Sequence, residues 1–184
     1  AIYHGPPGAY LLHKEYYRSH VVGGLLSGFS PSRRNLRVAE IGVYRGQNAE
    51  FNMMATPHLE YLGVDPNPQE LAWRVFERFS SRGRLWKMTS EQATLKINKS
   101  ETFDLIFIDG NHSKEAVALD LAVWEPLINP CGGYLAGHDY ATWWPGVVEA
   151  VHEFIEQRGQ TLTLHLGHDM TFWMWMPATS SCGT

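Results

Sequence analysis

Four apolar runs in this chain stop on acidic groups: LRVAE at Glu40, LEYLGVD at Asp65, FDLIFID at Asp109 and GGYLAGHD at the pair His138-Asp139. The first three are short and rich in Val, Ile, Leu or Phe, the pattern of a strand buried on both faces, and the fourth is a short run of small and apolar residues. Segments of helical period separate them, so strands and helices alternate and the strands are expected to run parallel. Parallel strands bring their carboxyl ends to one edge of a sheet, and ligands of open α/β sheets bind outside that edge. With 19 acidic residues among 184, chance would seldom place so many at strand ends. A polar site at one edge of a doubly wound α/β sheet is therefore expected.

The other segments complete the fold. QNAEFNMMA predicts a helix stopped by Pro57. Asn67 is expected to cap, and Pro68 to start, a helix running to about Phe79, with Leu71, Val75 and Phe79 on one face. RLWKM predicts a third strand, followed by a short helix from Ser90. Ser113 caps a helix whose inner face carries Val117, Leu121, Trp124 and Ile128. Pro145 opens another, with Val147, Val151, Phe154 and Ile155 inward and Gly159 at its end. TLTLHL, the turn GHD and TFWMWM predict a closing hairpin, which adds one antiparallel strand to a mostly parallel sheet of seven strands. Near the start, YLLHKEYYRSHVVGGLL predicts a helix that breaks at Gly23-Gly24.

At 44% hydrophobic and 18% charged residues the chain reads as one globular domain, without repeat or linker. Residues 1–35 form a leading segment, 36–177 the α/β domain and 178–184 a tail. A net charge of −4 gives no nucleic-acid footprint and no polybasic membrane patch. No apolar run approaches the roughly 20 residues of a spanning helix, and no basic-then-apolar leader is seen. A cytoplasmic location is expected, although a chain opening at Ala1 also fits a processed form or a piece of a longer protein. Cys131 and Cys182 stand far apart with no CxxC, so neither a disulfide scaffold nor a cysteine zinc site is expected, in keeping with a reducing compartment.

In VAEIGVYRGQN, Gly42 and Gly46 allow a tight turn and a close backbone approach before a helix N-terminus. They serve either a ligand or the turn alone. The third glycine of GxGxxG is missing, which disfavours a nicotinamide dinucleotide. Asp65 follows Glu40 by 25 residues, near the spacing at which an acidic residue reaches a ribose hydroxyl.

AEIGVYRGQN, YLGVDPN, FDLIFIDGNH and GGYLAGHDY together resemble class I S-adenosylmethionine-dependent methyltransferases. The resemblance is to the catechol O-methyltransferase-like small-molecule enzymes and the macrolide-sugar and cephalosporin-tailoring group, over about residues 36–176. It implies a Rossmann-like fold with Glu40, Gly42, Tyr44 and Gly46 around the methionine end of the cofactor, and Gln47 and Asn48 beside it. It further implies Asp65 on the ribose and Ser90 and Glu91 by the adenine. Asp109 and Asp139, with His138, match the positions that hold a divalent metal, Mg or Mn, in metal-dependent members. Asp109 then serves cofactor, metal and catalysis together, and His112 matches the general base. The chain departs from the family at His138, usually Asp or Glu, and at His112, a Lys in catechol O-methyltransferase.

That chemistry suits these residue types. A hydroxyl is a poor nucleophile while protonated; a divalent ion would acidify it, and an imidazole can take the proton at neutral pH. Plainer roles exist too: Asp109 as a turn cap, His138 as a satisfied strand-end histidine, His112 as a turn residue. Trp143 and Trp144, with Tyr140, either wall an apolar acceptor pocket or pack the last helix. The turn with His165, His168 and Asp169 reaches the active-site edge if the strand before it runs parallel to the rest. The segment AYLLHKEYYRSH is either a lid over the acceptor or a helix packed on the sheet. The expectation is methyl transfer to a hydroxyl of a small molecule, assisted by a divalent metal, with a homodimer left open. Its rivals are a non-catalytic cofactor-binding domain of a larger protein and a metal-independent methyltransferase.

Overall fold

The computed structural model describes residues 17–29, 33, 35–98 and 100–183. Residues 1–16, which hold most of the expected lid together with His4 and His13, lie outside the described residues. In chain order the elements are α1 (Tyr17–Ser27), β1 (Arg37–Ile41), α2 (Gln47–Ala55), β2 (Glu60–Val64), α3 (Glu70–Arg78), β3 (Gly83–Trp86) and α4 (Ser90–Lys96). They continue with β4 (Leu105–Ile108), α5 (Lys114–Trp124), β5 (Gly133–Gly137), α6 (Pro145–Glu156), β6 (His165–Leu166) and β7 (Phe172–Met176).

The strands form one seven-stranded sheet in the order β3-β2-β1-β4-β5-β7-β6. The first five are parallel, and β7 runs antiparallel between β5 and β6. The chain enters at the centre on β1, works outward to β3 and returns to β4 on the other side of β1. Strand order therefore reverses between β1 and β4, the place where a doubly wound sheet opens a crevice. The register brings the carboxyl ends level: Ile41 pairs with Val64 and with Ile108, and Ile108 with Gly137. The backbone then continues the ladder, with Gly42 N–H donating to Val64 O at 2.8 Å and Asp109 N–H to Ile41 O at 2.7 Å.

Both faces of the sheet are covered, which explains why the strands lack a polar face. Ile41, Val64, Ile106, Ile108 and Leu135 pack with Val117, Leu121 and Trp124 of α5 and Val147 and Val151 of α6. On the other face Val38, Leu105, Phe107 and Ala136 meet Val22 and Leu26 of α1, Met53 of α2 and Phe76 of α3. Among the described residues no helix is long and apolar enough to cross a membrane.

Four local expectations are corrected. The helix over Gly23-Gly24 does not break: α1 runs through both, held by the buried Val22 and Leu26 on either side. The helix after Asp65 starts at Glu70 with Gln69 as its cap, and its buried face is Ala72, Val75 and Phe76, while Leu71 is 52% exposed. The strand expected over TLTLHL shrinks to His165–Leu166. Cys131 and Cys182 are joined in a disulfide across a sequence separation of 51. A pairing so distant leaves no local sequence signal; it ties the tail to the turn before β5, where Thr179 N–H also donates to Pro130 O at 2.8 Å.

Gly42 shows how tightly the crevice is built. Its φ is 90°, and a Cβ there would lie 2.1 Å from the Asp109 carbonyl oxygen. Gly159, at φ 63°, has open space around it. Gly42→Ala therefore combines a left-handed backbone with a collision against β4, whereas Gly159→Ala meets only the backbone term of about 1–2 kcal/mol. In urea unfolding Gly42→Ala should lose clearly more stability than Gly159→Ala; equal losses would show that β1 and β4 do not approach this closely.

Candidate active site

Beyond Ile41 the chain turns into α2 through Gly42, Tyr44 (φ 52°) and Gly46 (φ 79°). Asp65, at the end of the neighbouring strand, holds this turn. Its Oδ2 accepts from the N–H groups of Val43 at 3.0 Å and Tyr44 at 2.8 Å, and its Oδ1 from Asn67 N–H at 2.7 Å. The residue expected on the ribose is thus first a loop-shaping group, with lone pairs to spare. Gly46 lines neither of the cavities described below; a Cβ added to it would lie 3.1 Å from the α-carbon of Ala72 in α3.

Glu40 is buried at the floor of the turn. Asn48 Nδ2 donates to its Oε1 at 2.8 Å, and the Tyr61 hydroxyl lies 3.1 Å from its Oε2. Burial outweighs these bonds and raises its pKa to about 8. Asn48, expected beside the cofactor, therefore acts first as the residue that orients Glu40.

The third expected group is the densest. One atom from each of Asp109, His138 and Asp139 lies within 4.8 Å of the others, a spacing fit for a cation. His138 Nδ1 is buried and faces both carboxylates, 3.2 Å from Asp139 Oδ1 and 3.8 Å from Asp109 Oδ1, without a well-aligned hydrogen bond to either. A buried imidazole nitrogen facing two carboxylates is a donor set that fits a divalent metal with mixed N and O ligands. Burial raises the Asp109 pKa, an effect that Arg18 and His138 oppose. Asp139 behaves differently: burial works against ionisation, yet His138 and His112 hold its pKa at about 2. Its backbone is unusual as well, with φ 61°.

His112 Nε2 lies 2.8 Å from Asp139 Oδ2, and its ring stacks on Trp144 with centroids 4.1 Å apart. The loop after β4 and the loop after β5 are thereby joined into one wall. Arg18 of α1 forms an ion pair with Asp109. Arg18 falls within AYLLHKEYYRSH, the segment expected as a lid or a packed helix, but only the packing of α1 against the sheet shows that this residue reaches Asp109.

Two cavities meet at Gly42, Tyr44, Asp109 and Gly110. The first, about 260 Å³, holds Arg18, Glu40, Gln47, Asn48, His112 and Asp139 in its wall. The second, about 430 Å³, runs past Asp65 and Pro66 to Ser90, Glu91 and Asp120. Ser90 accepts from Trp124 Nε1 at 2.7 Å and hydrogen-bonds Asp120. Asp120 was missed by sequence reasoning, although a signal existed: it falls on the apolar stripe of α5, among the buried Val117, Leu121 and Trp124.

The residues suggested for the acceptor divide. Trp144 belongs to the site through His112, and Trp143 beside it is 65% exposed. Tyr140 points elsewhere, its hydroxyl 2.6 Å from His152 Nε2 of α6 and its ring against Phe172. β6 does run parallel to the central strands, so the following turn lies at the active-site edge, where Met170 O accepts from Tyr140 N–H at 3.0 Å. His168 in that turn is exposed and lines neither cavity.

Residues 39–140, more than half of the chain, match the family described as "Methyltransferase domain". A curated relative, the uncharacterized protein R132 of Acanthamoeba polyphaga mimivirus, is 24% identical over 148 residues. That match takes in 74% of this chain and 66% of the relative, so the chain spans just under two thirds of that protein's length. An SAH-bound methyltransferase from Podospora anserina has a similar fold, with TM-score 0.64, 19% identity, and coverage of 93% of this chain and 88% of that one. So does an O-methyltransferase family protein from Burkholderia thailandensis, with TM-score 0.64, 11% identity, and coverage of 89% and 57%. These agree with the resemblance to class I S-adenosylmethionine-dependent methyltransferases. The matched span runs from inside β1 to the residue after Asp139, so it contains the glycine turn, Asp65 and the whole acidic cluster, and the chain belongs to the methyltransferase-domain family.

Proposed function

We propose that this protein transfers a methyl group from S-adenosylmethionine to a hydroxyl oxygen of a small molecule, with a divalent metal held by Asp109, His138 and Asp139. The observation that carries the reading is the His112–Asp139 pair, set where a cation-sized acidic cluster meets the glycine-turn cavity. The donor supplies an electrophilic methyl carbon on a sulfonium. The metal, Mg or Mn with the His138 nitrogen favouring the latter, supplies a Lewis acid that lowers the pKa of the hydroxyl.

The chain's own residues do the rest. Glu40 faces the methionine end, where a ligand's positive charge would favour its ionised form over the neutral form that burial imposes. Asp65 keeps the turn in shape and offers its spare lone pairs to ribose hydroxyls. The ionised Asp139 accepts from His112 Nε2–H, which leaves the ring's lone pair on Nδ1. That nitrogen takes the hydroxyl proton while the oxygen attacks the methyl carbon; the carbon–sulfur bond breaks and its electron pair stays on sulfur. Products are the methyl ether, S-adenosylhomocysteine and an imidazolium. Trp144 fixes the ring plane by stacking, which keeps donor, acceptor and base aligned. The small cavity and the net charge of −4 favour a small acceptor over nucleic acid.

One observation favours a metal-independent version: Arg18 already neutralises Asp109. Calorimetry separates the two. Wild-type protein should bind S-adenosylhomocysteine, and without such binding the whole reading fails. Mn²⁺ should bind the wild type and fail to bind Asp139→Ala; no binding to either would leave Arg18 as the resident cation.

With catechol and other phenols as trial acceptors, His112→Ala should lower turnover by about 100-fold or more at pH 7. An unaltered rate from pH 6 to pH 9 would remove His112 from the role of base.

Glu40 also links stability to pH. Its pKa rises from 4.5 to about 8 on folding, so between those values the native state keeps a proton that the unfolded chain releases. Ligand-free stability should fall as pH rises across that window and level off above it. Glu40→Gln should gain in melting temperature relative to wild type from pH 5 to pH 8; a constant difference would mean that Glu40 titrates normally.

A further inference from the structure

Asp120 is 6% exposed and lies in the wall of the larger cavity, yet neither the acidic strand ends nor the proposed reaction uses it. Its surroundings define what it can bind. The Ser90 hydroxyl accepts from Trp124 Nε1 and gives its single proton to Asp120, so Ser90 has no donor left for a ligand. Among the described residues no Lys, Arg or His pairs with Asp120, and Glu91 nearby adds repulsion. Burial raises the Asp120 pKa to about 6, the mark of a carboxyl group short of compensation. Ile41, Val64, Pro66 and Leu119 supply apolar surface in the same cavity. Such a slot suits a flat, mostly apolar ring that carries N–H donors on its edge and meets an acceptor-only group at the back.

Building on the cofactor reading above, we propose that Asp120 is the residue that selects the purine of the cofactor, accepting a hydrogen bond from the exocyclic amine of adenine. A 6-oxo purine would set an oxygen lone pair against the carboxylate and leave both unpaired, so the site discriminates by penalty as well as by attraction. Ser90 is then a positioning residue that aims Asp120, and α5 contributes to recognition from the middle of its buried face.

Calorimetry with S-adenosylhomocysteine and its hypoxanthine analogue, S-inosylhomocysteine, tests this on the full chain. Wild-type protein should prefer the adenine compound by at least about tenfold. Asp120→Asn places an amide N–H beside the 6-position, so the preference should shrink by about tenfold or reverse. A purely structural role would weaken both ligands together and leave their ratio unchanged; that result overturns the proposal. The N6,N6-dimethyl analogue, which has no N–H to donate, needs no variant and should bind the wild type at least about tenfold more weakly. Equal wild-type affinity for all three compounds also overturns it. Binding of none of them overturns the cofactor reading and this inference with it, a different outcome from an unchanged ratio.

Discussion

Three carboxyl groups, those of Glu40, Asp109 and Asp139, stand at one edge of the sheet, two of them at least nine-tenths out of water. Ionised carboxylates in such a place repel one another and need positive charge close by. The protein meets this demand with a different device for each. Glu40 holds on to its proton, Asp109 takes the guanidinium of Arg18, and Asp139 lies between two imidazoles. The arrangement of the pocket follows from that demand, including the approach of α1 from the far end of the chain. A sulfonium donor or a divalent cation bound there would offer the same kind of compensation.

The cluster exists because the strands end level. β1 lies between β2 and β4 in parallel register, and the ladder continues past the last strand residues, from Gly42 to Val64 and from Asp109 to Ile41. Only a residue without a side chain fits where the turn crosses the Asp109 carbonyl. Scaffold and polar groups are therefore divided along the central strands: the apolar part packs against helices on both faces, while Glu40 near the end of β1 and Asp109 and Asp139 just beyond β4 and β5 meet at the crevice.

Most of this architecture could be read from the chain. Strands buried on both faces are unbroken apolar runs, and α5 and α6 announce themselves through Ser113, Pro145 and a 3.6-residue period. Their acidic ends pointed to one edge of the sheet, because parallel strands leave little choice about where those ends go, and the acidic cluster and both cavities lie there. What escaped were features that depend on partners remote in sequence. Gly23-Gly24 stay helical because Val22 and Leu26 are buried against the sheet. The Cys131–Cys182 pairing and the Arg18–Asp109 contact join residues 51 and 91 positions apart. Asp120 was legible in principle as a carboxylate on an apolar stripe, but only a three-dimensional cavity gives it something to face.

Two of the residues that line the smaller cavity, Tyr44 and Asp139, hold left-handed backbone angles that side chains with a Cβ adopt reluctantly. Glycine would sit more comfortably at either position. Mutational drift toward a sturdier fold and selection for turnover should therefore pull on them in opposite directions. In a lineage that has abandoned catalysis while keeping the fold, these two positions would be among the first to relax, which makes them a marker for telling working members of the family from retired ones.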